Sequence, residues 1–112
     1  MSTHAPLPLE IDPATARTLR TENADTLFLD VREPFEREIV DLEPDRAVPY
    51  GEIPGAWNSL PRDKPVVVYC HHGSRSLRVA EFLRAHGVAG ATSLAGGVER
   101  WAVELDPTLP RY

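Results

Sequence analysis

The 112 residues contain a single cysteine, Cys70. No internal disulfide can form, so that thiol raises a question of reactivity rather than of cross-linking, and its solitary state suits a reducing compartment. No apolar run approaches the roughly 18–20 residues that span a bilayer, and the opening MSTHAPLPLE has neither a basic n-region nor an apolar h-region. The expected address is the cytoplasm. Positive charge is in short supply, with 12 Lys and Arg against 17 Asp and Glu and a net charge of −5. That balance argues against a nucleic-acid groove and against a polybasic membrane face, so neither partner is expected.

Hydrophobic residues make up 42% of the chain and charged residues 26%, the proportions of a folded globular domain. The expected organisation is a flexible segment over 1–6 followed by one domain over 7–112, C-terminal tail included. Nothing in the sequence demands more than a monomer.

Asp12-Pro13 supplies an N-cap and N1 pair for a helix from about Asp12 to Arg20. Thr26 to Val31 is a short apolar run that reads as a buried strand, and Glu33-Pro34 opens a short helix through Ile39. Between Val40 and Lys64 four prolines disfavour long helices and central strands, leaving Ala47-Val48 as a brief strand. Pro65 to Cys70 is the clearest strand, because three adjacent valines suit a parallel strand buried on both faces. Ser74 to His86 is amphipathic and stops at Gly87, Ala91 to Leu94 is another strand, and Gly96-Gly97 turns into a last helix from about Val98 to Leu105. Strands and helices alternate. The expected fold class is α/β, a mainly parallel central sheet with helices on both faces.

Ligands of such sheets bind beyond the carboxyl ends of the strands, which is where Cys70 stands. The loop His71-His72-Gly73-Ser74-Arg75 follows at once. Its main-chain N–H groups can curl around the sulfur, and the next helix points its positive end at the loop, so both favour a thiolate nucleophile. Gly73 permits a sharp path, and Arg75 supplies a cation that can fork onto an oxyanion.

The string CHHGSRS behind a valine-rich strand resembles the active-site loop of rhodanese-like sulfurtransferases. LFLDVREPFE at 27–36, DKPVVVYCHHGSRS at 63–76 and LAGGVERW at 94–101 resemble signature segments of the same family in order and spacing. The resemblance implies that Cys70 is catalytic and carries sulfane sulfur as a persulfide, taken from a donor such as thiosulfate and passed to cyanide or a thiol. It further implies that the main chain from His71 through His72, Gly73 and Ser74 to Arg75 holds the outer sulfur, while Arg75 also helps to bind the anionic donor. Related phosphatases use a loop one residue longer, since a phosphate needs a wider cradle. Four residues separate Cys70 from Arg75 here, which favours sulfur over phosphoryl transfer.

The family also shows a segment like GHIPGA, and two stretches compete for its place. Gly51-Glu52-Ile53-Pro54-Gly55-Ala56 looks like it but lies too close to Cys70. An ungapped register from DVREPFE instead puts Asp41-Leu42-Glu43-Pro44 there and Val48-Pro49 on the following strand.

Asp30 and Arg32, at the end of the preceding strand, are expected to form an ion pair that supports the site, and Trp101 is expected to pack. His71 and His72 beside Cys70 invite a metal, but adjacent side chains on a tight loop do not converge on one ion, so none is assigned. Gly96-Gly97 lacks the rest of a dinucleotide fingerprint, and no cofactor is implied. The tail Leu105 to Tyr112 resembles that of rhodanese domains fused to adenylyltransferases of molybdopterin and thiamine biosynthesis. It keeps open a relay that exchanges sulfur with a protein donor or acceptor. A catalytically idle interaction domain is the remaining alternative.

Overall fold

A computed structural model describes residues 7–112; the segment 1–6, expected to be flexible, lies outside the described residues. In chain order the elements are β1 (Glu10–Ile11), α1 (Pro13–Glu22), β2 (Leu27–Asp30), α2 (Pro34–Ile39), β3 (Arg46–Ala47), α3 (Ile53–Ala56), β4 (Val66–Tyr69), α4 (Ser74–Ala85), β5 (Ala91–Leu94) and α5 (Gly97–Glu104). Short 3-10 turns at Tyr50–Glu52 and Trp57–Ser59 flank α3. The five strands form one sheet in the order β1-β5-β4-β2-β3, and every neighbouring pair is parallel.

β4 occupies the centre with all four of its residues wholly buried, and the period-two alternation of a strand sends them to opposite faces. Val66, Val68 and Cys70 pack with Leu29 and with Val79, Ala80 and Leu83 of α4. Val67 and Tyr69 pack on the other face with Phe28, Ala16 of α1, and Val98 and Trp101 of α5. Trp101 meets Phe28 edge-on at 6.0 Å. The helices after two adjacent strands, β4 and β5, therefore go to opposite faces. A crevice opens between the carboxyl ends of such strands, and it is where the Cys70 loop sits.

Local signals account for the helix starts. Asp12 caps α1 by accepting from Thr15 N at 2.8 Å, with Pro13 at the first position. Glu33 and Glu36 form a capping box on α2 with Pro34 at its first turn. α1 runs past Arg20 to Glu22, closed by Asn23 N donating to Leu19 O. β3 lies one residue earlier than Ala47-Val48, although Val48 N still donates to Asp30 O at 2.9 Å.

The competition over the GHIPGA-like segment is decided by pairing with β2. Asp45 exchanges bonds with Phe28, its N donating to Phe28 O and its Oδ2 accepting from Phe28 N, and β3 continues that ladder to Asp30. Asp41 to Pro44 thus forms the turn ahead of β3, while Gly51 to Ala56 forms helical turns beside α4. Glu43 takes a left-handed φ of 54° in that turn, where Arg20 Nη1 holds Leu42 O at 2.8 Å and Asp41 Oδ1 accepts from Glu43 N.

Gly97 has φ +61°, and a Cβ built on it would overlap the carbonyl oxygens of Cys70 and His71. Gly97→Ala is expected to lower stability by about 2–3 kcal/mol through backbone strain and overpacking. Gly51, with open space around it and no positive φ, is the control, and Gly51→Ala should stay within about 0.5 kcal/mol. Urea unfolding of both variants checks the contrast.

Candidate active site

β4 delivers Cys70 to the carboxyl end of the sheet with only 1% of its surface exposed. Gly73, at φ 104°, reverses the chain and leads into α4. The sulfur accepts N–H bonds from Gly73 at 3.1 Å and from Ser76 at 3.4 Å. The amides of His71, His72, Ser74 and Arg75 make no hydrogen bond to protein among the described residues.

Their orientation is imposed from the opposite face of the sheet. Val98 N donates to Cys70 O at 2.9 Å and Glu99 N to His71 O at 3.1 Å, so the first turn of α5 holds both carbonyls. In a trans peptide the N–H points opposite to the C=O. The N–H groups of His71 and His72 are accordingly turned away from α5, toward the face that carries the Cys70 side chain.

Asp30 and Arg32 form an ion pair at 2.8 Å with no exposed side-chain surface. Burial of Arg32 is balanced by a full set of acceptors. Nε and Nη2 bond Asp30, Nη2 also bonds Val40 O at 2.7 Å, and Nη1 bonds Glu36 O and Tyr112 Oη at 3.2 and 3.0 Å. All five N–H donors of the guanidinium are used. Burial works against its charge, but the bonds to Asp30 and Tyr112 prevail and hold the group above its ordinary value.

Arg75 does not stand alone over the sulfur. Its two Nη atoms fork onto Glu36 at 2.9 Å each, with 30% of the Arg75 side chain exposed and 6% of Glu36. Glu36 also accepts from Glu33 N at 2.9 Å and from Tyr112 Oη at 3.0 Å. The bonds from Arg75 outweigh burial and lower the Glu36 carboxyl from 4.5 to about 2.

His71 and His72 stack on each other at 3.9 Å, and the Tyr112 ring lies on His71 at 3.7 Å with 10° between planes. Burial, then the neighbouring His72, pushes the His71 imidazole below its ordinary value. Its Nε2 is buried and has no hydrogen-bond partner among the described residues. No group of three or more His, Cys, Asp or Glu arranged to hold a metal occurs among the described residues.

The structure therefore gathers Cys70, His71, His72, Gly73, Ser74 and Arg75 in one loop and sets Asp30 and Arg32 beside it. Sequence reasoning missed Glu36, Ser76, Ser93 and Tyr112. The Glu33-x-x-Glu36 capping spacing was the available signal for Glu36, and the resemblance of the tail was the one for Tyr112.

A model of the Rhodanese-like domain matches residues 13–104. A sulfurtransferase of Allochromatium vinosum is 30% identical over 83% of this chain and 87% of its own length. A probable adenylyltransferase/sulfurtransferase of Mycobacterium tuberculosis, MoeZ, is 29% identical over 91% of this chain, which spans only 26% of that protein. Among solved structures, a rhodanese-related protein of Thermoplasma volcanium superposes with a TM-score of 0.75 at 33% identity, covering 89% of this chain and 96% of that one.

The depressed Glu36 carboxyl makes stability depend on pH. Its contribution is complete above the ordinary 4.5 and is lost as pH falls toward about 2, where the folded carboxylate takes up its proton. Glu36→Gln should cost about 1–3 kcal/mol at neutral pH by breaking a charged hydrogen-bond set. It should also flatten the fall in stability between those two pH values, as read from urea midpoints at a series of pH.

Proposed function

This chain belongs to the rhodanese-like domain family, and from that premise we propose that it is a sulfurtransferase in which Cys70 carries the transferred sulfur as a persulfide. The observation that carries the reading is the loop beside a nearly buried sulfur: two amides already bonded to Sγ, and four more with no protein acceptor among the described residues. Donors fixed in place before reaction stabilise negative charge without reorganising. The amides of His71, His72, Ser74 and Arg75 are suited to the outer sulfur of a persulfide.

Thiosulfate is the proposed donor. The Cys70 thiolate attacks its outer sulfur, a new S–S bond forms, and the old one breaks to release sulfite. Cyanide or a thiol then attacks that outer sulfur, and the bonding pair returns to Cys70 Sγ as thiolate. Arg75 is assigned to the sulfonate oxygens: among the described residues Glu36 occupies two of its five N–H donors, which leaves three for an anion. The Asp30–Arg32 pair supports the site from below. The single thiol suits the reducing cytoplasm, and a monomer suffices for this chemistry.

A relay module, exchanging sulfur with a protein donor or acceptor, is the second reading. It is favoured by the tail, whose Leu105, Leu109 and Tyr112 pack against the core beside α5, and by the similarity to the longer Mycobacterium protein.

Cys70→Ser is expected to abolish thiocyanate formation from thiosulfate and cyanide while leaving the fold intact, because a hydroxyl fits the site but forms no persulfide. Turnover above the uncatalysed rate in that variant overturns the mechanism. Arg75→Ala should raise the KM for thiosulfate by about tenfold or more, with a much smaller fall in kcat, since it removes binding shared by ground and transition states. Steady-state kinetics separates the two; a fall confined to kcat removes Arg75 from donor binding.

A further inference from the structure

Beneath the Cys70 sulfur lie two serine hydroxyls that the reading above does not use. Ser76, in the first turn of α4, and Ser93, on β5, are both wholly buried, in positions where an apolar residue would avoid the cost of desolvating a hydroxyl. Their oxygens are 2.8 Å apart. Ser76 Oγ also lies 3.2 Å from Gly73 O and 3.5 Å from Cys70 Sγ.

Proton counting orients the pair. Ser93 Oγ has no side-chain or carbonyl neighbour in hydrogen-bond range other than Ser76 Oγ among the described residues. If Ser76 donated to Ser93, the Ser93 proton would have no acceptor. Ser93 therefore donates to Ser76, and the Ser76 proton is left to choose between Gly73 O and Cys70 Sγ.

We propose that Ser93 and Ser76 form a hydroxyl relay that follows the charge on Cys70, with Ser76 bonding the sulfur and Ser93 acting through it. With a thiol, S–H donates to Ser76 Oγ and the Ser76 proton rests on Gly73 O. With a thiolate, the Ser76 O–H turns to Sγ, which then has three donors, the Gly73 and Ser76 amides and this hydroxyl. Donation from Ser93 polarises the Ser76 O–H and strengthens that bond. In the persulfide Sγ carries no charge, and the hydroxyl returns to Gly73 O. When an acceptor attacks the outer sulfur and the S–S pair moves onto Sγ, the hydroxyl turns back and stabilises the departing thiolate. Ser76 is thus a catalytic residue of the discharge step, and Ser93 positions it.

This inference rests on the sulfur-transfer reading for its role in discharge, but its effect on the thiolate can be read without any sulfur donor. The charged and titratable groups around the loop are Arg75 on α4, Glu36 on α2, the Asp30–Arg32 pair after β2, His71 and His72 on the loop itself, Glu99 on α5 and Tyr112 of the tail. None is altered by substitutions at 76 or 93.

The test is the rate of Cys70 alkylation by iodoacetamide against pH. Ser76→Ala should move the midpoint upward by about one pH unit, a tenfold loss of thiolate below it, the scale of one hydrogen bond to a charged group. Ser93→Ala should move it in the same direction by less, and the double variant should match Ser76→Ala alone, because Ser93 has no route to the sulfur except Ser76. Ser93→Thr and Ser93→Val add the same methyl group and share any packing defect. Only Val should shift the midpoint. A wild-type midpoint in Ser76→Ala, equal midpoints for Thr and Val at 93, or additive shifts in the double variant would each overturn the relay. Single-turnover discharge to cyanide should slow in Ser76→Ala by about tenfold at neutral pH. If the midpoints shift as described but wild-type protein takes up no sulfur from thiosulfate, the relay stands and the sulfur-transfer reading falls.

Discussion

The site depends on one contact between two faces of the sheet: the first-turn amides of α5 bonded to the carbonyls of Cys70 and His71. The peptide planes behind β4 are set by those bonds, and with them the direction of the N–H groups that follow the cysteine. The approach is close enough that residue 97 must have no Cβ, and its positive φ makes the same demand. Gly73, on the other side of the contact, is 3.1 Å from Gly96 N when given a Cβ of its own. A loop squeezed between glycines has little freedom to collapse onto its own sulfur. Its donors are organised in advance, which is what stabilisation of a developing anion requires.

A chain of ion pairs bridged by a phenol closes the site on its other side. Asp30, Arg32, Tyr112, Glu36 and Arg75 are linked in that order, joining the end of β2, the tail, α2 and α4. Buried ion pairs are costly unless every donor and acceptor is used, and Arg32 meets that condition in full. The cost is set against position: Arg75 is held in one geometry at the rim rather than sweeping through solvent. Its pairing with Glu36 also tempers its charge, so what it offers at the rim is a set of oriented N–H groups rather than an isolated cation.

Much of the fold was legible because its determinants are local. The valine run of β4, the Asp12-Pro13 cap, the glycine after α4 and the apolar stretch of β5 each lie within a few residues of the element they define. The loop itself was legible for the same reason, since Cys70 to Arg75 is one continuous segment. What was hidden depends on distant pairs. Glu36 meets Arg75 across 39 positions, Tyr112 meets Glu36 across 76, and Ser93 meets Ser76 across 17. The sequence of Gly96-Gly97 announced a tight turn, but not that another segment's carbonyls pass where a Cβ would be. The string GEIPGA shows the converse hazard, a good local match in the wrong register. The ladder from β2 to β3 decides the matter, and a ladder is a long-range fact.

The central claim is that Cys70 accepts one sulfur atom and gives it up again. Intact-mass analysis of the reduced protein after thiosulfate treatment, with peptide mapping and then addition of cyanide, tests it most directly. The account predicts a gain of one sulfur atom located on Cys70 and its complete loss to cyanide. A protein that gains no mass, or that gains sulfur which cyanide cannot remove, would contradict it.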